Sequence, residues 1–305
     1  PDTTPIDEFL AVESDFGWIN HTWDHIDMDL MSEAHAQTEI GRNCNLAGEW
    51  NLGDFSCLAA ITPAISGLDN LAAINGMVTA GVRYVVSDTS ENEAFNPDNP
   101  GNNPSHNVGR SNPWNSEMFQ IPRHPTSIFF STSTIAEQVG LYNELYREHF
   151  GRDLAYQEII DRDTDLALSY LLTYDLDPLM FHQANLRFFN FPGPNPNSLF
   201  TDWMNALADR YLALVKLPVL TLDMVETATL MQERDAYNNC GISAWLHVVD
   251  DEAELQLQSL GQCTVPITGI DIADAGAVET YAGVPTTHVA LEPCESKSIT
   301  WTATP

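Results

Sequence analysis

The stretch Phe16-Gly17-Trp18-Ile19-Asn20-His21-Thr22-Trp23-Asp24-His25 decides how this chain is read. Its first half is a short apolar run of the kind that forms a strand, and a His-rich turn opens where that run ends. The two imidazoles stand four positions apart. Wherever the backbone turns helical, such a pair shares one face with Cβ atoms ~5–6 Å apart, a spacing that one metal ion can bridge. The zinc-protease motif is excluded, because it needs a Glu directly after the first His, and Thr22 stands there. With nine His in the chain some close pairs are accidental, so the setting matters more than the spacing. Asp24, Asp27 and Asp29 follow at once, and functional groups of α/β folds gather at the carboxyl ends of strands.

The pattern repeats downstream. Ser32 to Arg42 reads as a helix with Ser32 as its N-cap, and Leu68 to Ala80 as a second helix ended by Gly81. Val82 to Val86 is a β-branched strand that delivers Asp88 at its carboxyl end, where an Asp is more often a turn former or helix cap than a site residue. Glu91 to Pro113 is rich in Asn, Pro, Asp, Gly and Ser and reads as a loop over the mouth of a site. Arg123-His124-Pro125 then precedes an apolar run to Phe130. An Arg there places a fixed positive charge beside a carboxylate, in a structural pair or a site. Helices are expected at Thr134 to Phe150 and Asp153 to Thr173, followed by a short strand, Leu179 to Phe181, that ends in His182. Ser198 to Leu217, a strand at Pro218 to Thr221 and a helix from Leu222 to Ala236 continue the alternation. Strand, site residue, loop and helix in repetition predict an α/β domain over 1–236 with its functional groups on one rim. From about Tyr237 the texture changes to short alternating runs around Trp245, Leu255, Val265 and Val289, which predict a small all-β appendage over 237–305.

Composition bounds the function. The 43 Asp and Glu against 12 Lys and Arg give a formal net charge of -31, which repels phosphate backbones and argues against nucleic acid as a partner. Two explanations of the acidity stand together: solvation in salty surroundings, and attraction for a cationic ligand such as a polysaccharide with free amines. No apolar run approaches the ~18–20 residues of a membrane-spanning helix. Five Cys leave at least one unpaired within the chain. Cys44 and Cys57 bracket a short loop and would staple it, whereas Cys240, Cys263 and Cys294 allow several pairings. Disulfide use points to a secreted, cell-surface or periplasmic protein. Asn20-His21-Thr22 is also a glycosylation sequon, and Asn20 must stay unmodified if His21 holds a metal.

Three of these motifs, in this order, resemble those of the polysaccharide deacetylases. His21-Thr22-Trp23-Asp24-His25 resembles their His-[Ser/Thr]-x-x-His metal motif, Arg123-His124-Pro125 their Arg-x-Pro motif, and Leu179-Met180-Phe181-His182 their Leu-x-His motif. The fuller wording, Gly17-Trp18-Ile19-Asn20 and Phe181-His182-Gln183-Ala184-Asn185-Leu186, is most similar to carbohydrate esterase family eighteen, the branch of the fungal galactosaminogalactan deacetylase and its bacterial relatives. The resemblance implies a distorted (β/α) barrel that removes N-acetyl groups from an amino-sugar polysaccharide. It implies that His21 and His25 hold one divalent metal ion of the zinc type, that His182 is the general acid, and that Arg123 holds the catalytic-base carboxylate ionised. His124, Asp88, Asn185 and Trp23 are the substrate-facing candidates.

The family's first motif is an Asp-Asp pair that supplies the base and a third metal ligand, and no apolar strand ending in Asp-Asp stands before His21. The expectation is that this motif lies upstream of Pro1, with Asp24 and Asp88 as the substitutes this chain offers. Asp54-Phe55-Ser56-Cys57 replaces a His-Ser-Gly-like segment, so substrate contacts there are expected to differ. The rival reading is a carbohydrate-binding or cell-surface protein on a degenerate barrel, against which Arg123 and His182 weigh.

Overall fold

Four of the short runs become parallel strands of one sheet: β1 (Trp18–Asn20), β2 (Phe55–Ile61), β3 (Tyr84–Val86) and β5 (Phe119–Ile121). The two-residue strand β4 (Arg110–Ser111) runs antiparallel beside β5, and the order is β1-β2-β3-β5-β4. The computed structural model describes residues 5–88, 106–190, 193, 196–250, 252–272 and 274–302. Of the polar loop expected over Glu91 to Pro113, residues 91–105 lie outside them. Its end does not remain loop: β4 forms there, and buried Asn112 donates its Nδ2 to the Leu68 carbonyl.

Helices cover the sheet. A short helix α1 (Pro5–Leu10) opens the described chain. α2 (Glu33–Trp50) is capped by Ser32, whose side chain accepts from the His35 N–H, and it runs two turns past the expected end at Arg42. Neither Gly41 nor Gly48 breaks it, and Asn51, in the left-handed region at φ 54°, ends it. Gly76 of α3 (Leu71–Thr79) lies against α2, where a Cβ would meet the Glu33 carbonyl at 2.3 Å, so only glycine permits this approach. Met28, Ile40, Ile74, Met77, Val85 and Met118 form the core between these helices and the sheet. The Cys44–Cys57 disulfide ties α2 to β2 as the sequence suggested.

A second cluster, built on Ile128, Ile160, Leu199 and Trp203, joins α5 (Tyr156–Leu172) to α6 (Leu199–Leu214). α4 (Ile135–Phe150) starts on a reciprocal capping box between Thr134 and Glu137. The apolar run after Pro125 forms no regular element. Leu179 to His182 likewise forms no strand and meets the sheet only through an isolated parallel bridge from Leu179 to His124. Pairing stops there because the Asn185 Oδ1 accepts the His182 N–H at 2.8 Å, which turns the backbone into a short 3-10 helix.

The chain divides into two compact units at Lys216 and Leu217, ahead of the change of texture read at about Tyr237. The second unit holds α7 (Met224–Asn239) and two three-stranded antiparallel sheets. One has the order β8-β10-β9, from β8 (Cys263–Thr268), β9 (Ala277–Tyr281) and β10 (Val284–Leu291). The other has the order β11-β7-β6, from β6 (Ser243–Val249), β7 (Glu252–Gln258) and β11 (Ser296–Thr302). Leu257, Val265, Val289, Leu291 and Ile299 fill its core, and Cys240 pairs with Cys263, leaving Cys294 as an exposed thiol. Pro218 to Thr221, expected as a strand, is unpaired chain whose Pro218 carbonyl accepts from the Tyr281 hydroxyl. No helix among the described residues is long and apolar enough to cross a membrane.

Candidate active site

Three of the four parallel strands lead into a residue singled out above, and the fourth, β2, ends on Ile61. β1 leads into His21, β2 into the Ile61 carbonyl, β3 into Asp88 and β5 into Arg123, so one rim of the sheet collects them. The expected helical pairing of His21 with His25 does not form. The loop is irregular, with Thr22 at φ 63° and His25 at φ 52°, a left-handed region that a β-branched Thr rarely adopts. It still brings the two rings together, with centroids 4.8 Å apart and planes nearly perpendicular.

Helix α2 holds that strained turn from behind. The buried Glu39 carboxylate accepts the N–H groups of Trp23 and Asp24 at 3.1 and 2.8 Å. One turn further on, Asn43 donates to the Thr22 carbonyl at 2.5 Å. Asn20 completes the frame: its Oδ1 accepts the Thr22 N–H, and its Nδ2 donates to the Ile40 carbonyl. The Asn20 amide is therefore buried and bonded, which leaves no room for a glycan. Reading the sequence did not single out Glu39 and Asn43. The available signal was two polar residues four apart on a helix face otherwise made by Ala36, Ile40 and Ala47.

His21 Nδ1 lies 2.8 Å from the Ile61 carbonyl oxygen. A proton on Nδ1 donated to that oxygen leaves Nε2 as the free lone pair, the arrangement that orients a metal-binding imidazole. Burial lowers the His21 pKa, the bond to Ile61 opposes this, and the neighbouring His25 and Arg123 lower it further, which favours the neutral ligand form. The buried hydroxyls of Thr22 and Thr62, next in the chain to His21 and Ile61, have no hydrogen-bond partner among the described residues. The pair thus fits a metal ion as two nitrogen donors. No third His, Cys or carboxylate joins them in a three-donor cluster among the described residues. Asp24, one of the offered substitutes, stands 3.9 Å from Arg42 instead, and Arg42 also covers the Trp23 ring.

Arg123 is nearly buried and faces Asp88, with Nη2 to Oδ2 at 3.6 Å. Burial lowers its pKa against the opposing pull of Asp88. His182 is exposed, its ring 5.5 Å from that of Phe130. Its pKa is lowered by burial first, then by Arg123, His21 and His25, which brings these four residues into one electrostatic neighbourhood. Asn185 faces no substrate space. It is fully buried, and it bonds the His182 N–H and the carbonyls of Phe129 and Thr132. Its work is to set the His182 backbone. His124 turns away into a separate cluster, stacked on Tyr170 and 3.0 Å from Asp175. Asp54 to Cys57 opens β2 and so stands at the end of that strand opposite Ile61.

The model of the protein family described as "Agd3 deacetylase domain" matches residues 6–245. Among solved structures, the crystal structure of Agd3, described as a novel carbohydrate deacetylase, is similar over 100% of this chain at 22% identity and a TM-score of 0.79. The chain spans 48% of that protein's length. The structure of AmyP in complex with maltotriose matches with a TM-score of only 0.21 at 12% identity, over 85% of this chain and 67% of that one, and bears on nothing here. No curated protein matches.

Proposed function

Because the chain belongs to the Agd3 deacetylase domain family, we propose that it removes acetyl groups from an N-acetylated amino-sugar polysaccharide, with His21 and His25 holding a divalent ion of the zinc type. The observation that carries this reading is that the His21 and His25 rings stand 4.8 Å apart at the strand ends where Arg123 meets Asp88, with Arg123 and both imidazoles close enough to His182 to lower its pKa. When bound, such an ion polarises the acetamide carbonyl and lowers the pKa of a water molecule.

The remaining steps belong to side chains of this chain. The proton leaving the attacking water goes to a carboxylate held by Arg123, and among the described residues that carboxylate is Asp88. The guanidinium opposite it fixes the direction of the Asp88 carboxylate. A proton on the His182 ring passes to the sugar nitrogen as the C–N bond breaks. Its lowered pKa makes the protonated ring a readier donor. Asn185 and the turn at Gln183–Leu186 hold that ring at the rim. Two disulfides suit an exported or cell-surface protein, and the acidic chain would attract the amine-bearing product.

The test is acetate release from partially N-acetylated galactosamine and glucosamine polymers, using the full-length protein with added divalent metal. Release from one of them is expected and identifies the sugar. Release from neither contradicts the proposal.

A further inference from the structure

Behind Arg123 lies a second set of metal-ligand side chains that the deacetylase reading does not use. His106 Nδ1, His124 Nε2 and an Asp177 carboxylate oxygen all lie within 4.8 Å of one another. Asp177 Oδ2 is 2.5 Å from His106 Nδ1 and 3.6 Å from His124 Nε2, and Asp175 Oδ2 is 3.0 Å from the same Nε2. The other oxygen of each carboxylate is already occupied. Asp177 Oδ1 accepts the Asn107 N–H, and Asp175 Oδ1 accepts the Asp177 N–H, both at 2.8 Å. Both Oδ2 atoms are thereby left facing the imidazoles.

The frame around these donors is rigid. His124 lies flat between Tyr170, at 3.9 Å, and His106, at 4.6 Å. Asn107, in the left-handed region at φ 63°, accepts the Leu176 N–H on its side chain. His124 and the 178–180 segment exchange two backbone hydrogen bonds. The Asp177 side chain is fully buried, and those of Asp175 and His124 nearly so, while His106 is half-exposed and gives access.

Two adjacent buried carboxylates face imidazoles and the neutral Asn107 side chain, and no Lys or Arg among the described residues forms an ion pair with either. Such a group calls for a cation. Donors held ~2.0–2.2 Å from a tetrahedral ion stand ~3.3–3.6 Å apart, which matches the 3.6 Å between Asp177 Oδ2 and His124 Nε2, while the 2.5 Å hydrogen bond between Asp177 and His106 has to lengthen by about 1 Å to admit the ion. We infer that His106, His124 and Asp177 form a second divalent-cation site, structural and with Asp175 beside His124 as a further negative charge, suited to a borderline ion such as zinc. It goes beyond the deacetylase reading and does not depend on it. Its effect is to fasten the segment after the polar loop to the turn that leads into His182, across 71 residues of chain.

The test uses Co²⁺ as the probe on the full chain carrying His21→Ala, which removes the other proposed ion from the count. After chelation and dialysis, this variant is expected to take up one equivalent of Co²⁺ with the absorption bands of tetrahedral nitrogen and oxygen ligation, and its melting midpoint rises on binding. Adding His106→Ala, at the half-exposed ligand, is expected to weaken uptake at least about 100-fold and abolish that rise, with an unchanged circular-dichroism spectrum reporting an intact fold. The site is overturned if His21→Ala takes up no stoichiometric Co²⁺, or if the double variant binds as the single one does. Either result describes imidazoles hydrogen-bonded to carboxylates with no ion between them, and neither bears on acetate release.

Discussion

Arg123 directs its guanidinium toward Asp88, whereas the next residue, His124, places its ring among Asp175, Asp177 and His106. Two neighbouring positions thus serve two clusters of opposite character. The first is open: His21, His25 and His182 are exposed at the ends of strands and held from behind by α2 and Asn185. The second is closed, with both carboxylates buried and their outer oxygens bonded to backbone. An open set of titratable groups leaves space for a substrate. A set whose carboxylates are buried, with His106 alone half-exposed, stabilises the fold that carries the first.

That contrast is broken or sharpened by separating activity from stability. His182→Ala removes an exposed ring from the open cluster, so acetate release is expected to fall ~10²–10⁴-fold while stability in urea moves by less than ~0.5 kcal/mol. A large loss of stability in this variant would erase the distinction. Asp177→Ala leaves the Asn107 N–H and two imidazoles without their carboxylate. It is expected to destabilise the protein by about 3 kcal/mol, read from the shift of the unfolding midpoint, and a neutral result would mean that the closed cluster holds nothing together.

The smallest effect is a control in neither cluster. Arg152 hydrogen-bonds the exposed Glu158 and, with the Ala155 N–H, draws its pKa from 4.5 to about 2. A depressed carboxylate stabilises the fold above its unfolded pKa, and that contribution disappears as the pH falls through the folded one. The melting midpoints of the wild type and Glu158→Gln are therefore expected to differ above pH 4.5 and to converge toward pH 2. A gap independent of pH would show that the charge is not its source.

How much of this was legible in the sequence follows from how locally each feature is encoded. The open cluster was readable because each of its residues closes a short apolar run, as His21 follows Trp18–Asn20 and Arg123 follows Phe119–Ile121. The Cys44–Cys57 staple was readable because its partners are 13 residues apart, whereas three later Cys offered no local reason to choose Cys240–Cys263. Leu179 to His182 reads as a strand by composition, but Asn185 takes the His182 N–H that a strand would need. The closed cluster gave no signal, because its donors come from three segments and His124 stood beside Arg123 in a motif that claimed both. Glu39 and Asn43 were hidden in the same way, as polar residues inside an otherwise unremarked helix.

The most direct test of the account is His21→Ala in the full-length protein, assayed for bound divalent metal and for acetate release from the best N-acetylated amino-sugar polymer. The account predicts that one equivalent of metal and all measurable release disappear together while the fold is retained. Undiminished acetate release by that variant would contradict it.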